Sequence, residues 1–112
     1  MKEADIIRLR HMLDAAREAL SFAAGRKREE LDHDRGLMLI LVREIEVIGE
    51  AASRVSKETR EQLTRIPWRA IIGMRNRLIH RYNDINLDVL WYSVQNSIPE
   101  LIEELETIPE LQ

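Results

Sequence analysis

The sequence of 112 residues predicts an all-α fold, an up-and-down bundle of four main helices plus a short connector helix. Three observations carry that expectation. Apolar residues recur at steps of three and four along most of the chain; no stretch alternates polar and apolar as a half-buried strand would; and the breaks fall at Gly25, at the charged run Arg26 to Asp34, at Pro67 and at 83–86. At this length residues 1–112 make a single domain, long enough to bury a core and small enough to gain from association with a second copy.

The first helix is expected over residues 3–24. Ile6, Leu9, Leu13, Ala16, Leu20 and Ala23 form its inner row, and Gly25 stands where a C-terminal cap belongs. Alanines at 15, 16, 19, 23 and 24 leave one side slim enough for another helix to approach closely. His11 falls off the row, on the surface. Arg26 to Asp34 is a charged connection with little to bury. Within it Asp32, His33 and Asp34 are residue types that metals accept, but nothing else in the sequence completes a ligand set and the same residues cap helices, so no metal is expected.

A second, longer helix is expected from Asp34 to Val55, with Met38, Leu41, Ile45, Ile48, Ala52 and Val55 as its inner row. Leu37, Leu39, Ile40 and Val42 make its flanks apolar as well, so it must be covered on more than one side, at the centre of the bundle or at a dimer interface. Gly49 costs such a helix about 1 kcal/mol relative to alanine, which points to something packed closely against it. Ser56 then caps a one-turn connector ending at Gln62.

The next helix is expected to run from Pro67 to Tyr82, with proline at its first position, where a missing N–H costs nothing. Trp68, Ile71, Leu78 and Tyr82 form one stripe, and the place that completes it is held by Arg75. Residues Asn83 to Asn86 form a turn, with Asn86 capping the last helix. That helix buries Leu87, Leu90, Val94, Ile98, Leu101, Leu105 and Ile108, and Pro99 is expected to kink it or end its first half. Trp91 and Tyr92 stand at its start, where core packing is the commoner use of an aromatic than base stacking.

Composition narrows the function classes. There is no apolar run of the length that spans a bilayer, and the start MKEADIIRLRHML interrupts with charges what a signal peptide keeps apolar, so a cytoplasmic protein without membrane attachment is expected. The absence of cysteine removes disulfides and thiolate metal sites. A net charge of −3 argues against a nucleic-acid partner only on average. Between Arg65 and Asn83 there are five arginines (65, 69, 75, 77, 81), one histidine and no acid; from Tyr82 onward there are seven acids and no lysine or arginine. A phosphate-bearing ligand is drawn to the first stretch and repelled by the second. The plainer alternative is that these arginines pair with the acids of neighbouring helices.

On a helix turning about 100° per residue, Asn76 stands about 100° and His80 about 140° around from Arg75, and Tyr82 returns to within about 20° of it. One wedge would then hold a fixed cation, an amide, a group titrating near neutrality and a phenol, a set suited to handling a phosphate. Arg69, Arg77 and Arg81 add a basic surface around it. The guanidinium of Arg75, expected on the apolar side, needs an acceptor, and Glu50 beside Gly49 is the candidate carboxylate for reaching Arg75 or His80.

The pattern RN-x3-H-x-Y formed by Arg75, Asn76, His80 and Tyr82 resembles that of HEPN-domain proteins, in particular the HepT-like toxins of the HEPN/MNT toxin–antitoxin systems. IGEAA at Ile48 to Ala52, IPW at Ile66 to Trp68 and the D-I-N at Asp84 to Asn86 extend the resemblance over most of the chain. It implies a single HEPN-like helical domain, a two-fold homodimer whose two motifs line one cleft, and a metal-independent endoribonuclease that needs no cofactor and leaves a cyclic phosphate. Carried onto this sequence, Arg75 stabilises the transition state, His80 is general base or acid, and Asn76 supports them. It further implies that a cognate MNT nucleotidyltransferase antitoxin attaches AMP to Tyr82. The chemistry is consistent with the residues alone: the RNA 2′-hydroxyl is an internal nucleophile, histidine exchanges protons near pH 7, and a guanidinium offers a forked cation to the phosphoryl oxygens.

Two other readings use the same residues. A non-catalytic, nucleotide-binding helical accessory subunit of a nucleotidyltransferase needs the basic wedge but not a proton-transferring His80. A structural dimer without ligand needs Arg75 paired internally.

Overall fold

The computed structural model describes residues 1–81 and 84–112, the side chains of residues 80 and 81 excepted. Its elements are α1 (Glu3–Ala23), a 3₁₀ turn (Arg28–Asp32), α2 (Arg35–Ser53), α3 (Lys57–Gln62), α4 (Trp68–Ile72), α5 (Met74–Leu78), β1 (Ile79–Arg81), β2 (Asp84–Ile85), α6 (Leu87–Tyr92), a π turn (Ser93–Ser97), α7 (Ile98–Leu105) and a final 3₁₀ turn (Pro109–Leu111). Four rods emerge: α1, α2, the α4–α5 pair and the run from α6 to α7. The connector is α3. The all-α class and the four-rod bundle are therefore as the periodicity predicts.

Local chemistry sets most of the boundaries. Gly25 takes the left-handed conformation, φ 73°, one residue past the C-cap of α1. The Asp34 carboxylate accepts from Leu37 N–H at 3.0 Å and caps α2, Ser56 Oγ accepts from Thr59 N–H at 3.3 Å and caps α3, and Asn86 Oδ1 accepts from Val89 N–H at 3.1 Å and caps α6. Asp34 also holds Arg26 at 2.6 Å, and Asp32 pairs with Arg28 at 3.3 Å. The acids of the connection thus act as caps and ion-pair partners. Among the described residues no group of histidines and acids could hold a metal ion.

The core is a continuous apolar cluster to which every rod contributes, including Leu9 and Met12 of α1, Leu41, Ile45 and Ile48 of α2, Met74 and Leu78 of α5, and Leu90, Ile98, Leu101 and Leu105 of the last rod. The most extensive packing joins α1 to α2, where Ala16 and Ala19 of α1 are fully buried. Gly49 has its expected close neighbour: a Cβ there would stand 3.5 Å from the carbonyl of Ile72 and 3.6 Å from that of Ile71, at the end of α4.

Two buried carboxyls sit at the edges of this core. The side chain of Asp5 accepts from Ser56 N–H at 2.9 Å, Ser56 Oγ at 2.6 Å and Thr59 Oγ1 at 2.6 Å, fastening the start of α1 to the start of α3. Burial pushes its pKa up, but those three hydrogen bonds and nearby Lys2 outweigh it and hold the carboxyl below its ordinary value. Glu44 on α2 has the opposite balance. Burial and the hydrogen-bonded Glu18 carboxyl of α1 raise it to about 7, against the pull of Arg43, and its Oε2 has no partner among the described residues.

The stretch 67–82 departs from the expected single helix. Pro67 is the N-cap, and Trp68 is the first helical residue. At Gly73 the backbone turns to φ −84°, ψ −2°, ending α4 and starting α5. A Cβ at Gly73 would come within 3.2 Å of the Arg69 carbonyl, a tight contact that would require the neighbour to give by a few tenths of an ångström. Met74, not Arg75, takes the buried place between Ile71 and Leu78. The helix then stops at Leu78, whose carbonyl accepts from Asn86 N–H at 2.7 Å. Ile79–Arg81 and Asp84–Ile85 pair antiparallel, Ile79 opposite Ile85 and Arg81 opposite Asp84, where a plain turn is expected. Strand-favouring Ile79 and Ile85 pack against the core there, which a continued helix would not allow.

The last rod is divided ahead of Pro99, as expected: α6 ends at Tyr92, a π turn spans Ser93–Ser97, and α7 begins at Ile98 with Pro99 in its first turn. The proline ring would crowd the carbonyl of Gln95 in a regular helix. The π turn Ser93–Ser97 widens the backbone at that point, and α7 continues with helical φ and ψ on both sides. No helix of the described residues is long and apolar enough to cross a membrane.

Candidate active site

Arg75 stands on the solvent face of α5, half-exposed rather than on the buried stripe. Its Nε donates to Glu46 Oε2 of α2 at 3.1 Å, with the two side chains 48% and 34% exposed. The two terminal nitrogens of the guanidinium have no partner among the described residues. One edge of the fork is held and the other faces outward, an orientation suited to gripping two oxygens of a phosphate.

The carboxylate that meets Arg75 is one turn earlier than expected. Glu50 is exposed and binds Arg54, four residues on, at 3.1 and 2.9 Å. Glu46 and Glu50 lie on one side of α2, about 40° apart around its axis. Which of them meets Arg75 depends on how far α5 is shifted along α2, and no spacing within the sequence encodes that. Glu46 is the functional candidate that sequence reasoning missed. Its only signal was its i, i+4 relation to Glu50.

Asn76 follows Arg75 on α5 and is exposed, with no side-chain hydrogen bond among the described residues. His80 falls in β1, two residues beyond the end of α5, so the i, i+4 relation expected between Asn76 and His80 does not exist. The wedge geometry derived from an unbroken helix is replaced by a helix end followed by an extended segment. The side chains of His80 and Arg81 and the whole of Tyr82 lie outside the described residues. Arg77, two residues past Arg75, points to the other side of α5, where with Arg69 it lines a shallow trough beside Trp68 and Gly73. The basic surface is therefore divided: Arg75 on one side of the motif segment, Arg69 and Arg77 on the other.

Comparison with known proteins meets this geometry. The model of the family described as Ribonuclease HepT-like matches residues 12–108, nearly the whole chain, from within α1 through α7. The chain belongs to the HepT-like ribonuclease family. Among its relatives, the protein named "Putative RNase TTE0752" of Caldanaerobacter subterraneus subsp. tengcongensis is 35% identical over 100 residues, covering 89% of each chain. "Putative RNase MJ1216" of Methanocaldococcus jannaschii is 32% identical over 97 residues, 87% of this chain and 80% of that one. "Probable ribonuclease HepT" of Thermococcus cleftensis is 33% identical over 75 residues, 67% of this chain and 68% of that one. No solved structure matches the chain. Membership in the HepT-like family makes this chain an endoribonuclease of the HEPN type.

Proposed function

We propose that this HepT-like chain is the toxin of a toxin–antitoxin pair, cutting mRNA or tRNA in the cytoplasm without a metal by attack of the 2′-hydroxyl on the adjacent phosphorus. The observation that carries the reading is Arg75: a surface guanidinium held through Nε by Glu46, with its terminal nitrogens unpartnered among the described residues and open to a phosphate. In this reaction the 2′-oxygen forms the new bond to phosphorus and the 5′-oxygen leaves, so the products are a 2′,3′-cyclic phosphate and a 5′-hydroxyl. His80 takes the 2′-proton or returns one to the leaving oxygen, Arg75 stabilises the charge growing on the phosphoryl oxygens, and Asn76 orients the substrate or His80.

One histidine per chain is few for a reaction with a proton to remove and a proton to supply. A two-fold homodimer with both motifs on one cleft supplies the second. The exposed side of α2 supports that arrangement: Leu39 is 49% exposed, Ile40 and Val47 are partly buried, and Glu46, which holds Arg75 of α5, lies along the same side of α2. Control follows from Tyr82. A cognate MNT nucleotidyltransferase joins the tyrosine oxygen to the α-phosphorus of ATP and releases pyrophosphate; the attached AMP puts a negative charge and an adenosine two residues from His80, neutralising Arg75 and blocking RNA.

The test is cleavage of total RNA in EDTA by protein whose intact mass excludes AMP, beside His80→Ala and Arg75→Ala. Cyclic phosphate ends formed only by the unsubstituted protein are expected, with both variants folded and inert. Folded, unmodified protein that binds nucleotide but leaves RNA intact overturns the toxin and leaves the accessory subunit of a nucleotidyltransferase.

A further inference from the structure

A cleft of about 410 Å³ opens on the side of the molecule away from Arg75, between the start of the α4–α5 rod and α7. Its volume lies within the range of about 300–1,000 Å³ typical of small-ligand sites. Arg65 and Arg77 line it from one side and Glu100, Glu103 and Glu104 of α7 from the other, over a floor that includes buried Ile71 and Leu101. Opposite charges across so small a space ordinarily pair. Here none of the five charged side chains forms an ion pair or side-chain hydrogen bond among the described residues, where nine other ion pairs are formed.

The ligand that fits has adjacent acceptors on one edge and adjacent donors on the next, around a flat body for the apolar floor. Among the four RNA bases guanine alone has both: O6 and N7 accept from a guanidinium, and N1–H with the N2 amino group donates to the two oxygens of one carboxylate. Adenine and cytosine place a single amino group beside ring acceptors that a glutamate repels. Uracil has only one N–H donor.

We propose that this cleft is a guanine-reading subsite, with Arg65 or Arg77 on the O6/N7 edge and a glutamate of α7 on the N1/N2 edge. It deepens the ribonuclease reading and rests on it for the substrate. Arg77 and Arg75 are two residues apart on α5 and so about 200° around its axis. A strand crossing α5, about 10–12 Å in diameter, would place the recognised base on the order of two to three nucleotides from the cut phosphate. The trough past Arg69 and Trp68, which shares Arg77 with the cleft, extends the basic surface on the cleft side of α5.

The test separates binding from cleavage. Guanosine 5′-monophosphate, and the adenosine, cytidine and uridine monophosphates, are titrated into the protein while backbone amide resonances are followed. The same titrations are run with Glu104→Gln, Glu100→Gln and Arg65→Ala/Arg77→Ala, each checked for an unchanged melting temperature. Saturable binding of the guanine nucleotide, about tenfold or more tighter than the others, with shifts along 97–104 and a loss of about tenfold or more in at least one glutamate variant and in the double arginine variant, is expected. Equal affinity for all four nucleotides, or guanine binding that survives every variant, overturns the subsite. Protein that cuts RNA but binds the four nucleotides without guanine preference loses this inference and keeps the ribonuclease; protein that binds guanine nucleotide here yet cuts no RNA keeps the subsite and loses the toxin.

Discussion

Arg75 Nε and Glu46 Oε2 lie 3.1 Å apart, and through this one bond α2 fixes the direction in which the guanidinium of α5 faces. The pair is too exposed to matter greatly for folding: pairs of this kind contribute about 0.2–1 kcal/mol. Its value lies in orientation, since a guanidinium swinging freely on a flexible stem would meet a phosphate in the correct pose only part of the time.

Replacement of Glu46 by alanine is therefore expected to lower kcat for RNA cleavage about tenfold to a hundredfold, with KM nearly unchanged and the melting temperature within a few degrees. Glu46→Gln, which keeps an acceptor for Nε, should recover part of the loss. Glu50→Ala, which disturbs only the surface pair with Arg54, serves as the control and should cleave at the parent rate. Equal losses in the Glu46 and Glu50 variants would show that the pair has no positioning role.

Asp5 is expected to be a stability residue. Asp5→Ala leaves the Ser56 N–H and the hydroxyls of Ser56 and Thr59 without their acceptor and should cost about 2–3 kcal/mol in urea unfolding at pH 7. Its folded pKa is depressed below the ordinary 3.8, so its contribution is present above that value and is lost as pH falls through the folded pKa. Asp5→Asn should be less stable at pH 7 and should lose less stability than the parent between pH 5 and pH 2.

Glu44 has the opposite sign. Its folded pKa is raised from 4.5 to about 7, so between these values the unfolded chain releases a proton that the folded chain keeps. Stability through this group falls as pH rises over that window, by an amount on the order of 2–3 kcal/mol. Glu44→Gln should raise the urea midpoint above pH 7, change it little near pH 4.5, and flatten the slope between. An unchanged slope would mean that the Glu18–Glu44 pair does not hold its proton.

Gly49 tests how tightly α4 is seated on α2. The distances of 3.5 and 3.6 Å from a Cβ to the carbonyls of Ile72 and Ile71 are ordinary contacts, so Gly49→Ala should fit and stabilise the helix by up to about 1 kcal/mol. Gly49→Leu has no such room and should lower the melting temperature, with a loss of activity because α4 leads directly into α5 and Arg75.

Residue order alone is enough to specify the helical class, the four rods and most of their ends. Periodic apolar residues, the caps at Asp34, Ser56 and Asn86, and the glycine after α1 act within one or two turns of chain, and local interactions are what a linear sequence encodes. It also determined the family, because the Arg75, Asn76, His80, Tyr82 pattern is a matter of residue identity and order. Tertiary structure decided the rest. The break at Gly73 and the strand after Leu78 arise because Met74, Ile79 and Ile85 gain more from the core than an unbroken helix would give them, and that shifts Arg75 from the buried stripe to the surface. The partner of Arg75 was decided by the axial offset between α5 and α2, two segments about thirty residues apart in the chain. Likewise Arg77 faces the glutamates of α7 only because the core brings the third and fourth rods together. Distances between rods are set by packing, and nothing in either segment alone records them.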